Sequence, residues 1–276
     1  METSVKLFVP QAHRIILLSF ILFIAAAAAM LLPAPVDAMR RGGVTPPLLA
    51  DVAPSVTTRF VTNTADSGVG SLRDTVSASG SGDVVNFSLA SLPQTIILTT
   101  GNLPISVSLT INGPTTGTLT VSGNNASNIF TINSGTVVEM NNLTLRNANY
   151  SGDSGGAMRI NSATVNLTSM SFISNTSGPS GGGIAIVGGS LNITNSLFMS
   201  NTAGGGGAGL YIQSGSAVLT NTSLTGNQVY VNGGVGGAIS ASYAGDDRRQ
   251  HREQPGAGQW QRRRLLRTMV RRSSTV

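Results

Sequence analysis

Between residues 55 and 245 few side chains could move a proton. They are Asp66, Asp74, Asp83, Glu139 and Asp153, with Arg59, Arg73, Arg146 and Arg159. Acid/base or calcium-assisted chemistry needs carboxylates gathered in one place, or a basic group beside such a cluster. Asp66, Asp74 and Asp83 are instead spread over 18 residues, Arg73 and Asp74 read as solvated neighbours, and Glu139 stands alone on a strand. Asp153 and Arg159, six apart, form the one close acid–base pair and read as a surface ion pair, not a catalytic dyad. Both histidines, His13 and His251, fall outside this region, and the chain has no Cys, hence no thiol nucleophile, thiolate zinc site or disulfide scaffold. An extracellular life remains open. No catalytic, cofactor-binding or metal-binding residue is assigned.

The formal net charge of +6 first suggests an anionic partner. Placing the charges changes that: residues 1–54 carry +1, residues 55–245 carry −1, and residues 246–276, with nine Arg against three acids, carry +6. The basic character belongs to the tail, and the body has no nucleic-acid signature.

What remains in the body is repetition. A glycine pair followed by apolar alternation occurs at Gly155-Gly156-Ala157-Met158-Arg159-Ile160 and Gly182-Gly183-Ile184-Ala185-Ile186. Looser copies are Ala208-Gly209-Leu210-Tyr211-Ile212 and Gly236-Gly237-Ala238-Ile239, and the post-glycine positions 157, 184, 210 and 238 are 27, 26 and 28 apart. A second marker pairs Phe172 with Asn175, Phe198 with Asn201 and Leu224 with Asn227, at spacings of 26 and 26 between the Asn residues. Between the markers, stretches such as Val165-Asn166-Leu167 and Leu191-Asn192-Ile193 alternate with period two and are bounded by Gly, Asn and Ser. Those are short strands and turns.

A unit of 26–28 residues with about three short strands is one coil of a parallel β-helix. The expected architecture is all-β: a single-stranded right-handed parallel β-helix over 59–245, of about seven coils at roughly 4.8 Å each. Equivalent residues then stack on their own kind, which disfavours charge at repeated positions. No acid lies one repeat before or after Asp153. Asn175, Asn201 and Asn227 are expected to form an amide ladder, with Phe172, Phe198 and Leu224 stacked beside it. The glycine pairs 155–156, 182–183 and 236–237 supply turns, and Gly204 to Gly207 form a turn rather than a phosphate cradle because a strand follows. At the front, Ser71 N-caps a short helix with Asp74 at the capping-box position, and Leu72 and Val76 close the first coil. The last coil has no such cover.

The ends differ from the body. Lys6 and Arg14 precede an apolar run from Ile15 to Leu32, then Pro33, Pro35 and the small residues of Val36-Asp37-Ala38. This reads as a secretory signal over 1–38 cut after Ala38. The alternative is an uncleaved membrane anchor, since 18 residues sits at the lower limit for spanning. A linker, 39–58, follows. All 21 Asn lie between Asn63 and Asn232, and the last 44 residues contain none. The Arg-rich tail 246–276 is either a basic arm or the product of a shifted reading frame. A one-base shift of plausible codons for 259–267 regenerates the glycine-rich texture of the body.

The glycine-pair/Ala/apolar motif together with Phe-x-x-Asn resembles the repeats of polymorphic outer membrane proteins. More broadly the chain is similar to the right-handed β-helix, pectin-lyase-like class of bacterial surface proteins. The front segment Val61-Thr62-Asn63-Thr64-Ala65-Asp66-Ser67-Gly68, with Asp83-Val84-Val85-Asn86-Phe87, resembles the start of large secreted β-helix proteins. The resemblance covers about 59–245 and implies export, display at or release from the cell surface, and adhesion. It departs from the pattern at Leu224, where Phe is replaced, and no C-terminal membrane barrel follows.

The expected function is therefore a non-enzymatic exported surface or adhesion module, truncated, secreted or held at the cell surface, with the outer membrane as one location. The expected partner is a surface glycan or protein, with no cofactor and no nucleic acid. Membrane contact would come only from the signal peptide or a C-terminal anchor missing here, and self-association would run end to end through the open coil. Two alternatives are kept: a polysaccharide lyase or hydrolase on this fold, and binding of an anionic surface or nucleic acid through the tail.

Overall fold

Alternating apolar residues in short strands have one way to bury a face without a second layer: the chain winds round them. The computed structural model describes residues 4–9, 55–231, 234 and 236–242, and for 4–9 it describes the backbone. Of the proposed signal only 4–9 are described; Ala38, residues 39–54 and the tail 246–276 lie outside the described residues.

β1 (Ser4–Val9) precedes the coils in sequence and belongs to the same compact unit. The first coil contributes β2 (Thr58–Val61) and α1 (Leu72–Ser77). The second holds β3 (Asp83–Phe87), β4 (Gln94–Ile97) and β5 (Leu103–Ile105). The third holds β6 (Leu109–Asn112), β7 (Leu119–Ser122) and β8 (Phe130–Ile132). The fourth comprises β9 (Val137–Asn141), β10 (Thr144–Arg146), β11 (Asn149–Tyr150) and β12 (Met158–Ile160). The fifth comprises β13 (Ala163–Thr168), β14 (Ser171–Ile173), β15 (Thr176–Ser177) and β16 (Ile184–Ile186). The sixth comprises β17 (Gly189–Thr194), β18 (Leu197–Met199), β19 (Thr202–Ala203) and β20 (Leu210–Ile212). The seventh ends the described stack with β21 (Gly215–Thr220), β22 (Ser223–Thr225), β23 (Gln228–Val229) and β24 (Ile239–Ala241).

Equivalent strands of successive coils pair in parallel. They form one sheet from β2 to β21, a second from β4 to β22, a third from β5 to β24, and a short fourth from β11 to β23. The protein is thus a parallel β-solenoid of about seven turns with almost no helix. Period two sets the interior. Val85, Ile111, Met140, Leu167, Ile193 and Leu219 follow one another in register, and all are buried. A one-residue slip would turn this column to solvent, so burial itself fixes the register.

Two sequence expectations change. Coils four to seven carry four strands, not three; the extra one follows directly on Ala148, Asn175, Asn201 and Asn227. There Thr176 N donates to Ala148 O and Thr202 N to Asn175 O, so the chain stays extended for two more residues. The second glycine pair also shifts. Met158 stands opposite Ile184, and Ile184 opposite Leu210, so Gly181-Gly182, not Gly182-Gly183, is equivalent to Gly155-Gly156. Gly155, Gly181, Gly207 and Gly236, at φ +97°, +67°, +55° and +64°, form one left-handed column at spacings of 26, 26 and 29. Matching inward Ile184 to inward Met158 decides the register, and the three consecutive glycines follow it.

At the front, Ser71 Oγ accepts from Asp74 N at 3.2 Å and caps α1. Leu72 and Val76, four apart on the helix, are buried, and α1 lies against β2 and β5. At the other end, β1 runs antiparallel to β21 from Ser4 opposite Thr220 to Val9 opposite Gly215. It is the one antiparallel pairing among the described strands.

Candidate functional site

The buried amides form a continuous chain. Asn201 Oδ1 accepts from both Asn175 N and Asn175 Nδ2, and Asn227 Oδ1 accepts from Asn201 N and Asn201 Nδ2, all within 2.9–3.1 Å. Each Nδ2 also donates inward to the preceding coil: Asn175 to Leu145 O, Asn201 to Phe172 O and Asn227 to Phe198 O. Asn175 and Asn201 are fully buried and use their donors and acceptors on the solenoid itself. Beside them Phe172 and Phe198 stack at 4.6 Å with planes 10° apart, and Leu224 follows in register, half-buried. The ladder holds the corner of the coil; it does not face a ligand.

The carboxylates of the front segment are structural too. Asp66 Oδ1 accepts from Arg73 Nε and Nη2, and Asp66 Oδ2 accepts from the backbone N–H and hydroxyl of both Thr99 and Thr100. Arg73 also donates to Gly101 O and Asn102 O, each at 2.7 Å. Arg73 is therefore the clasp between the capping helix and the 99–102 loop, not the solvated residue its sequence position suggested, while Asp74 is exposed. Burial pushes the Asp66 carboxyl up, but the hydrogen bonds from Arg73, Thr100 and Thr99 outweigh it and hold it well below the ordinary carboxylate range. Asp83 points inward from β3. It binds Arg59 Nε at 2.7 Å and accepts from Thr57 N and Gly80 N, and the Arg59 bond leads these in lowering its pKa to about 2. A groove of about 380 Å³ lies between β2 and α1, with Arg59, Phe60, Val69 and Asp74 among its walls.

In the repeats, Asp153 pairs with Arg159 Nη1 at 2.8 Å, and Arg159 also binds Asn161 Oδ1 and Ser154 O. The pair spans one turn of a single coil. Among the described residues no group of three or more His, Cys, Asp or Glu gathers at metal-binding distance. Among them, too, no helix is long and apolar enough to cross a membrane.

The most regular chemistry lies outside, on the sheet running from β2 to β21. One column reads Asn86, Asn112, Asn141, Thr168, Thr194, Thr220; the next reads Thr110, Glu139, Asn166, Asn192, Val218. Asn112 Nδ2 donates to Asn86 Oδ1, Asn141 Nδ2 to Asn112 Oδ1, and Asn192 Nδ2 to Asn166 Oδ1, at 2.9–3.1 Å. These outward ladders escaped the sequence reading, although Asn86 and Asn112, and Asn166 and Asn192, each lie 26 apart. Neighbours in a column sit ~4.8 Å apart and neighbouring columns ~7 Å apart, a flat lattice of hydroxyls and amides with one carboxylate, Glu139. Such a lattice can form many equivalent hydrogen bonds along an extended partner. No known family, no curated protein and no solved structure matches the chain.

Proposed function

We propose that this chain is an exported, non-enzymatic surface module that adheres through the outer face of its long sheet. The observation supporting this reading most directly is the pair of polar columns from Asn86 to Thr220 and from Thr110 to Asn192. They repeat one weak contact many times, while Asp66, Asp83 and Asp153 are engaged with arginines of the scaffold. The resemblance to pectin-lyase-like surface proteins with polymorphic outer membrane protein-type repeats supports export and display. A glycan is the partner class that suits hydroxyl and amide groups in a flat row, because each sugar offers several equatorial hydroxyls.

The test is binding of the purified chain to immobilised neutral and acidic glycans. Asn166→Lys with Asn192→Lys, which breaks one column, is expected to weaken binding at least tenfold. Thr131→Lys, on the sheet running from β5 to β24, is expected to leave it unchanged. Depolymerisation of pectin, alginate or chondroitin by the chain would overturn the non-enzymatic reading, and equal losses in both variants would move the contact elsewhere.

A further inference from the structure

The two ends of the solenoid are not equivalent. At the front α1 lies over the first coil, with Leu72 and Val76 buried beneath it, so another coil cannot stack there in register. At the back three apolar residues of the last described coil, Leu224, Ile239 and Ala241, are only partly buried and pack on the core from one side, while Ala217 and Leu219 of β21 are buried. The edge strand β21 is there paired with β1, antiparallel, over six residues. This edge therefore accepts an antiparallel strand along its whole length.

β21 can itself serve as that strand. Ala217 and Leu219 point inward while Ser216, Val218 and Thr220 point out. Two copies of Gly215–Thr220 run antiparallel with every side chain kept on its own face when Ala217 stands opposite Ala217 and Ser216 opposite Val218. That contact is isologous and closes on itself as a two-fold dimer. Head-to-tail growth into a filament is blocked by the helical cap of the next copy. The long sheet then continues across the junction on the same side, the column that ends at Val218 meeting the Ser216 column of the second copy.

We propose that β1 and the β21 edge of a second copy compete for the same site, and that removal of residues 1–38 on export converts a self-capped monomer into a back-to-back dimer. The trigger rests on the signal reading above; the competition does not. The experiment uses the full chain carrying Val5→Pro and Leu7→Pro, which cannot pair along β1, with mass measured by light scattering and fold by circular dichroism. The unaltered chain is expected to be a monomer and the proline variant a dimer of twice the mass with unchanged strand signal. Adding Val218→Lys, a charge at the junction, is expected to return it to monomer. In the proline background, Ser216→Cys mixed with Val218→Cys is expected to form disulfide-linked dimers that Ser216→Cys alone does not.

A folded proline variant that stays monomeric, or one that forms an open series of oligomers, overturns the proposal, as does an unaltered chain that is already dimeric. N-terminal sequencing of the exported chain tests the signal separately. An exported chain that still carries Ser4–Val9 would refute the trigger while leaving the competition standing.

Discussion

Asn201 illustrates how much one side chain does when its coil is one of a stack. It accepts two hydrogen bonds from Asn175, gives one to Asn227 and one to Phe172 O, and has no contact with solvent. Asn201→Ala takes the acceptor from two buried N–H groups of Asn175 and the donor from Phe172 O; each buried group left unpaired costs roughly 1–3 kcal/mol, so the expected loss is about 3–5 kcal/mol in urea denaturation. Asn227→Ala, at the half-exposed end of the same ladder, is expected to cost about 1–2 kcal/mol. Equal losses would mean that water does not replace the missing acceptor at the open end of the ladder. The front carboxylates predict a pH dependence. A carboxyl whose folded pKa is lowered adds stability above its unfolded value, ~3.9, and that stability disappears as pH falls through the folded value. Asp83 loses its share between about pH 4 and its folded pKa of about 2, and Asp66 over a window that opens at the same pH and extends lower. The melting temperature is expected to fall through this window, and Asp83→Asn, which is less stable at neutral pH, should show a flatter acid limb.

At the scale of the element, backbone approach dominates. A Cβ on Gly182 would fall on Thr202 O, with Ala208 O and Asn175 O within 2.9 Å, and none of these backbone atoms can move alone. Gly182→Ala is expected to cost several kcal/mol or prevent folding. Gly152→Ala, which meets only the Tyr150 ring at 3.7–3.9 Å and needs no positive φ, should be close to neutral in the same thermal melt. Phe198→Ala removes one ring of the Phe172 stack and is expected to cost about 3–5 kcal/mol. Phe198→Leu should cost less, since Leu224 already occupies the next coil at this position. Much of this was legible in the sequence. Period two placed the inward residues, and the 26-residue spacing of Asn175, Asn201 and Asn227 placed the ladder. Three consecutive glycines at 181–183 left the turn register ambiguous, because glycines carry no inward or outward preference; Ile184 resolved it. The Asp66–Arg73 clasp was hidden because its partners, Thr99 to Asn102, are remote in sequence and lie in a coil that carries neither repeat marker. The outward Asn columns have the same period as the inward ladder, yet polar residues on a strand announce only exposure, not alignment.

Across the whole molecule, residues 24–29 apart in sequence are neighbours, and separation grows one coil at a time. This stacking explains the scarcity of charge, the glycine column and the polar lattice proposed for adhesion. The chain has no native Cys, so spin labels can be placed at chosen pairs without background. The most direct measurement places one label at Thr110 and the second in turn at Glu139, Asn166, Asn192 and Val218, with distances read by continuous-wave and pulsed electron paramagnetic resonance. The mean separation is predicted to lengthen by about 4.8 Å at each step. Distances that fail to rise in this order, or that return to short values at Asn192 or Val218 as in a sandwich or barrel, would contradict the stack.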